Sequence, residues 1–245
     1  MPLVALDESG QTMSEARTPL DPRGLGDVVI RPNGERNVKE IEYFYAAHSA
    51  FAYLGSARFM AIAAASGRRI AHKPVDLRRV VAEAGAVPFG RRSKAHAAYF
   101  FGREIERWSE ERGAPWMGWI PTHHAKDITL PNCMLIAGLT LSLDMDRLAH
   151  ALLEAHWRHD ADLADRSALA AIGQSAGLDP VPLLDLAPSA EVQAIYQANT
   201  EEAIRRSVFG SPTYFVDGDM FYGQDRLDMV ERALRQPYAG SWLRD

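Results

Sequence analysis

The spacing of apolar positions changes character twice along the chain. After an N-terminal stretch interrupted by Pro2, Pro19, Pro22 and Pro32, Ile41-Glu-Tyr-Phe-Tyr45 is a short aromatic and β-branched run that predicts a strand. Small residues at 46–50 lead into 51–66, rich in Ala, Leu and Met, which reads as a helix stopped by Gly67. Residues 69–75 predict a second strand ending at Pro74. A β–α–β order favours a parallel pair joined by a right-handed crossover.

The middle of the chain follows a helical period. In 93–112 the spacing of Tyr99, Phe100, Ile105 and Trp108 suits an amphipathic helix closed by Gly113-Ala-Pro115, followed by a Trp- and Pro-rich loop over 116–131. Further helices are predicted at 132–142, 144–158, 166–176 and 189–207, with Pro180, Pro182 and Pro188 punctuating the last two. Strand character returns at Thr213-Tyr-Phe-Val216, turns at Asp217-Gly218 and pairs back through Asp219-Met-Phe-Tyr222, before a helix over 226–234. The expected fold is α/β: a thioredoxin-like frame (β-α-β … β-β-α) over 39–76 and 208–236, interrupted by an all-helical insertion over 77–207 and preceded by an extended or disordered arm at 1–38.

Charge and cysteine content narrow the function classes. A formal net charge of −5 over 245 residues, with no Lys/Arg stripe, argues against a nucleic-acid partner. The single cysteine, Cys133, excludes an internal disulfide, a Cys-x-x-Cys redox pair and a cysteine-based zinc site. The N-terminus has no apolar core of a secretory signal, and no apolar run is long enough to span a bilayer, so a cytoplasmic location is expected.

Three segments carry candidate chemistry. Tyr45-Ala-Ala-His-Ser49-Ala-Phe-Ala-Tyr53 straddles the first strand-to-helix junction, where Ser49 is placed to cap the helix. The same position suits a hydroxyl that donates to an anion, because a helix N-terminus favours negative charge. Val208-Phe-Gly-Ser-Pro-Thr213 enters the third strand, and Ser211-Pro212 is a candidate cis peptide. With that geometry the backbone of Ser211 would pair with an extended peptide. In Tyr222-Gly-Gln-Asp225, Asp225 reads either as the cap of a helix opening at Arg226 or, with Gln224, as a grip for the charged ends of a γ-glutamyl group, Gly223 permitting close approach.

Together, in this order and spacing, these segments resemble the 2-hydroxychromene-2-carboxylate isomerases, glutathione-dependent members of the DsbA-like and kappa-class glutathione transferase group. The likeness runs from about Ile41 to Leu234. It includes Ser49-Ala-Phe-Ala-Tyr53-Leu54, Arg107-Trp108 with Gly113-Ala-Pro115, Val208-Phe-Gly-Ser-Pro-Thr-Tyr-Phe215 and Met220-Phe-Tyr-Gly-Gln-Asp-Arg-Leu227. The resemblance implies that Ser49 supports a glutathione thiolate, that Ser211 binds the peptide backbone beside cis-Pro212, and that Tyr222, Gly223, Gln224 and Asp225 hold the γ-glutamyl end. It also implies substrate contacts from Asn132, Lys94 and Arg91, an aromatic or conjugated acid as substrate, and a homodimer. The chain departs from the family at Ala46, where relatives have Asp, at Ala50, where they have Pro, and at Ala52, where they have a second Ser.

An isomerase is thus expected, with a kappa-like transferase or peroxidase and a non-catalytic glutathione-binding protein as alternatives. A disulfide oxidoreductase is disfavoured, because a hydroxyl cannot exchange disulfides. The remaining candidates read as structural. No metal site is expected: His123-His124 and His156-x-x-His159 lack a ligand pattern and read as incidental to a partly exposed helix. His48 lacks an oriented acid for a triad and is left as a secondary candidate for a substrate-side acid or base, Cys133 reads as core, and Trp108, Trp116 and Trp119 read as walls of a pocket or core.

Overall fold

The structure, a computed structural model, describes residues 29–30, 36–37, 39–85, 91–240 and 242. Most of the arm expected at 1–38 lies outside these residues. Within it, β1 (Val29–Ile30) and β2 (Arg36–Asn37) pair as a small antiparallel ribbon.

From residue 39 onward the chain builds a four-stranded mixed sheet. β3 (Glu40–Tyr45) runs through α1 (Ala50–Ser66) into β4 (Arg69–Pro74), parallel to β3 with Ile41 opposite Ile70. β5 (Thr213–Val216) lies antiparallel to β3 on its other side, and β6 (Asp219–Tyr222) follows as a hairpin, giving the order β4-β3-β5-β6. Asp217 and Gly218 take φ of 49° and 93°, the left-handed pair that a two-residue hairpin of this twist requires. Successive strand residues face opposite sides. Ile41, Tyr43 and Tyr45 accordingly enter one core with Phe59 and Tyr214, while Phe44 packs with Val75, Val208 and Phe215 in another.

Between β4 and β5 come α2 (Leu77–Glu83), α3 (Lys94–Ala98), a π-helical turn (Tyr99–Arg103), α4 (Glu104–Arg112), α5 (Thr129–Thr140), α6 (Asp146–His159), α7 (Arg166–Ser175), α8 (Pro180–Leu186) and α9 (Ala190–Arg205). A short 3₁₀ turn (Gln224–Arg226) then leads into α10 (Leu227–Arg235). The sequence pattern misses α2 and α8. Both are seven residues long, with Asp76 and Asp179 accepting first-turn amides as caps, and Pro180 opens α8 rather than breaking it. The helix expected over 93–112 is a single helical run, but its centre widens to π geometry at 99–103. No described helix is long and apolar enough to cross a membrane.

α1 meets α4, α6, α10, the 3₁₀ turn and β4, which explains its small, nearly all-round apolar sequence. At Gly55 a Cβ would stand 2.6 Å from Cβ of Gln224 and 3.3 Å from Cδ1 of Leu227. Gly55→Ala is therefore expected to destabilise the fold by about 1–3 kcal/mol despite its better helix propensity. Chemical denaturation checks this, and an unchanged midpoint would show that the 3₁₀ turn yields freely.

Candidate functional site

Ser49 is the N-cap of α1, with extended φ and ψ of −72° and 123°. Its Oγ accepts from the Ala52 amide at 3.3 Å and donates to the Ser211 carbonyl at 3.2 Å. The structural and the functional readings of Ser49 therefore share one position: a hydroxyl that caps the helix also reaches across to the Ser-Pro loop. No acidic residue sits in the first turn of α1, so the positive end of its dipole is not offset there.

The Ser211–Pro212 peptide is cis. Ser211 Oγ accepts from the Ala46 amide at 3.3 Å, and the Pro212 carbonyl accepts from the Gly223 amide at 2.9 Å. The three candidate segments are thus joined by hydrogen bonds. Gly223 sits at φ 98°, a conformation that strains any side chain. Gln224 is buried; its Oε1 and its main-chain oxygen accept from Arg112 at 3.0 and 3.2 Å. Asp225 is not the cap of the last helix. It lies inside the 3₁₀ turn, exposed and paired with Arg226 at 2.9 Å, because the chain makes this tighter turn before α10 begins at Leu227.

Two recesses open on either side of this junction and share Phe51, Phe100, Ser211 and Tyr222. The smaller, about 350 Å³, is lined by the run from Tyr222 to Arg226 and by Trp108 and Glu104. The larger, about 420 Å³, has Ser49 and His48 at its wall, aromatic sides from Phe100, Phe101, Trp157 and Phe209, and cationic groups from Arg78 and Arg92. The Arg92 guanidinium lies over the Phe100 ring, 4.9 Å from its centroid. The smaller recess is peptide-sized and, though mainly apolar, the more polar of the two; the larger joins aromatic faces to two guanidinium groups.

The three residues expected to touch substrate do not line either recess. Asn132 is fully buried in the first turn of α5. Its Oδ1 accepts from the Ala47 amide at 3.0 Å, and its Nδ2 donates to the Val75 carbonyl and the Tyr196 hydroxyl at 3.3 and 3.2 Å. Its polar atoms are committed to holding the loop before Ser49. Arg91 and Lys94 are exposed, Lys94 opening α3, while the adjacent Arg92 lines the larger recess. Cys133 is buried, accepts from Gln193 at 3.2 Å and is pushed up to about 11 by burial, consistent with a core role. Trp119 is exposed, and the recess is walled by Trp157, whose indole donates to the His48 carbonyl at 2.9 Å. Of the tryptophans expected to form walls, Trp108 lines the smaller recess and Trp116 packs against the core, while Phe100 and Phe101 were not singled out as wall residues by the sequence. Nothing in the sequence pointed to Arg78.

Residues 40–235 match the model of the DSBA-like thioredoxin domain. The chain belongs to that family. It is 26% identical over 204 residues to a 2-hydroxychromene-2-carboxylate isomerase of Sphingobium xenophagum, covering 80% of this chain and 98% of the relative. A relative of the same name from Pseudomonas sp. (strain C18) is 27% identical over 198 residues, covering 79% and 89% of the two chains. Among solved structures, a 2-hydroxychromene-2-carboxylate isomerase superposes with a TM-score of 0.67 at 26% identity, over 80% of this chain and 95% of that one. The cytosolic disulfide reductase DsbM of Pseudomonas aeruginosa, solved with GSH, superposes at 0.55 with 17% identity, over 81% and 93% of the chains, a likeness of fold.

In this DSBA-like chain the larger recess is backed by histidines rather than by exposed incidental ones. His48 and His156 are buried, and His124 is half-buried between them. The ring centroids of His48 and His124 are 4.8 Å apart, and those of His124 and His156 5.3 Å. Burial is the first cause holding all three below the ordinary value of 6.5: His48 well below, His124 down to about 4, and His156 below despite its bond to Ala161. No cluster of described residues could hold a metal ion.

Two outcomes follow from this packing. Asn132→Leu leaves the Ala47 amide and the Val75 carbonyl without partners and should cost roughly 2–3 kcal/mol, measured by denaturation; a neutral result would mean the loop has another support. The histidines are neutral in both states above about pH 6.5, whereas below it the unfolded chain takes up protons that the fold resists. Stability should therefore fall as the pH drops from about 6.5 towards 4, His124 alone contributing about 2 kcal/mol of loss by about pH 5. Melting temperatures across that window test it, and a flat profile counts against buried neutral rings.

Proposed function

We propose that this chain is a glutathione-dependent isomerase of conjugated aromatic oxo-acids such as 2-hydroxychromene-2-carboxylate. The observation that carries the reading is the Ser49 hydroxyl, bonded to the carbonyl of the cis Ser211–Pro212 peptide where a peptide-sized recess meets an aromatic, cationic one. The names of the relatives support an isomerase, and a GSH complex of a relative in fold supports the cofactor.

Bound glutathione would supply a thiolate that adds reversibly to the substrate's conjugated C=C bond, makes it a rotatable single bond, and is returned unchanged. The residues fit such a tripeptide. Asp225 offers a carboxylate for its ammonium, and the Gly223-Gln224 backbone turns around the same recess. Ser211 offers its main chain for strand-like pairing. An incoming peptide N–H would take over the Ser211 carbonyl, and this frees the Ser49 hydroxyl to donate to sulfur instead. The uncompensated start of α1 adds to the preference for an anion at that point. In the larger recess Phe100, Phe101 and Trp157 sandwich a flat ring and exclude water, while Arg78 and Arg92 orient its carboxylate.

The kappa-like transferase reading uses the same groups but consumes the thiol. Free-thiol titration during turnover separates the two, since isomerisation leaves thiol constant. Ser49→Ala should lower turnover of 2-hydroxychromene-2-carboxylate about 10²–10³-fold, as loss of one preorganised donor does. It should also raise the pKa of bound glutathione, read from thiolate ultraviolet absorbance, with tripeptide affinity changed only a few-fold. Wild-type protein that binds glutathione yet leaves the substrate spectrum unchanged would overturn the isomerase reading.

A further inference from the structure

His124 and His156 lie 32 positions apart in the chain and meet behind the larger recess. His156 Nδ1 stands 3.1 Å from the Ala161 carbonyl oxygen. A carbonyl only accepts, so Nδ1 carries the proton, and the neutral ring keeps a lone pair on Nε2. That nitrogen is 3.0 Å from His124 Nδ1, which must therefore donate. The neutral His124 ring is left with its lone pair on Nε2. His124 itself lines the recess, and with Nδ1 turned to His156, Nε2 is the nitrogen left for a ligand.

The surroundings keep both rings neutral. Burial acts first on His124, followed by His156 on α6 and by the cation of Arg78 on α2. His48, from the loop before α1, is itself held neutral. Burial prevails at His156 too: His123 acts in the same direction, while the Ala161 bond and the carboxylates of Asp160, bound to Thr122, and Asp162, bound to Lys126, pull the other way. The relay ends on the Ala161 carbonyl, which only accepts, so it fixes the tautomer of both rings and leaves Nε2 of His124 without a proton.

We propose that His124 Nε2 is the acceptor for a hydroxyl of the substrate, locked in that role by His156, so that the recess selects hydroxylated aromatic acids over merely aromatic ones. This rests on the proposed isomerase reading and adds a proton path to it. When a cyclic hemiketal opens, its hydroxyl gives a proton to Nε2 as the carbonyl forms. The ring C–O bond breaks with its electron pair going to the phenol oxygen, and the imidazolium returns the proton there. No oxidant or co-reactant is needed. His156 touches no substrate and is a positioning residue.

Nitrogen shifts of isotope-labelled histidine in the wild-type protein are expected to show His124 protonated on Nδ1, bare on Nε2, and neutral to about pH 5. By calorimetry, 2-hydroxycinnamate should bind about tenfold tighter than 2-methoxycinnamate, as for one added hydrogen bond. His124→Phe should abolish that preference, and His156→Leu should weaken it, with glutathione affinity unchanged in both. An Nε2-protonated His124, equal binding of the two probes, no binding of either, or a preference that survives His124→Phe would each overturn the inference. Absent glutathione binding beside an intact hydroxyl preference would instead sink the isomerase reading and leave the His124 assignment standing.

Discussion

The segment between β3 and α1 makes one turn bond of its own, from the Ser49 amide to the Ala46 carbonyl at 2.9 Å, and a single carboxamide supplies much of what it lacks. Asn132, completely enclosed, binds the Ala47 amide on one side and ties the end of β4 and the Tyr196 hydroxyl on the other. Trp157 adds a second tether through the His48 carbonyl. Both tethers come from the helices inserted between β4 and β5. The insertion therefore shares with the Ser211 loop, which bonds Ala46 and Ser49, the task of fixing where Ser49 leaves the sheet.

From that fixed point the rest of the site follows by short links. Ser49 reaches the Ser211 carbonyl, Ser211 reaches the Ala46 amide, and Pro212 reaches Gly223. The three segments are far apart in sequence, yet each supplies one partner to the next. The two recesses meet at this seam, sharing Phe51, Phe100, Ser211 and Tyr222, with the Ser49 hydroxyl on the side of the larger one.

Much of this was legible in the chain because the signals are local. The strand at 40–45, the helix stop at Gly67 and the Asp217-Gly218 turn depend on neighbouring residues, and the structure places them within a residue or so of the sequence reading. Ser49, Ser211 and the Tyr222–Asp225 run were visible for the same reason. What stayed hidden needs a third dimension. Asn132 looks like any polar residue at a helix start, and only its enclosure shows that its amide is already spoken for. His124 and His156 read as incidental because their pairing spans 32 positions. Pro180 looked like a breaker because its position relative to the Asp179 cap decides whether it opens or ends a helix.

The π-helical turn at Tyr99–Arg103 has a consequence for how this rim can vary. Such a turn is equivalent to one residue spliced into an α-helix without disrupting its ends. Deleting a single residue there would restore ordinary winding while leaving the helical turns on either side facing much as they do now. Phe100 and Phe101, inside the turn, would be re-aimed, whereas Arg112, downstream, would keep its hold on Gln224. The chain thus carries a place where gain or loss of one codon could retune Phe100, an aromatic residue common to both recesses, without turning the helices around it.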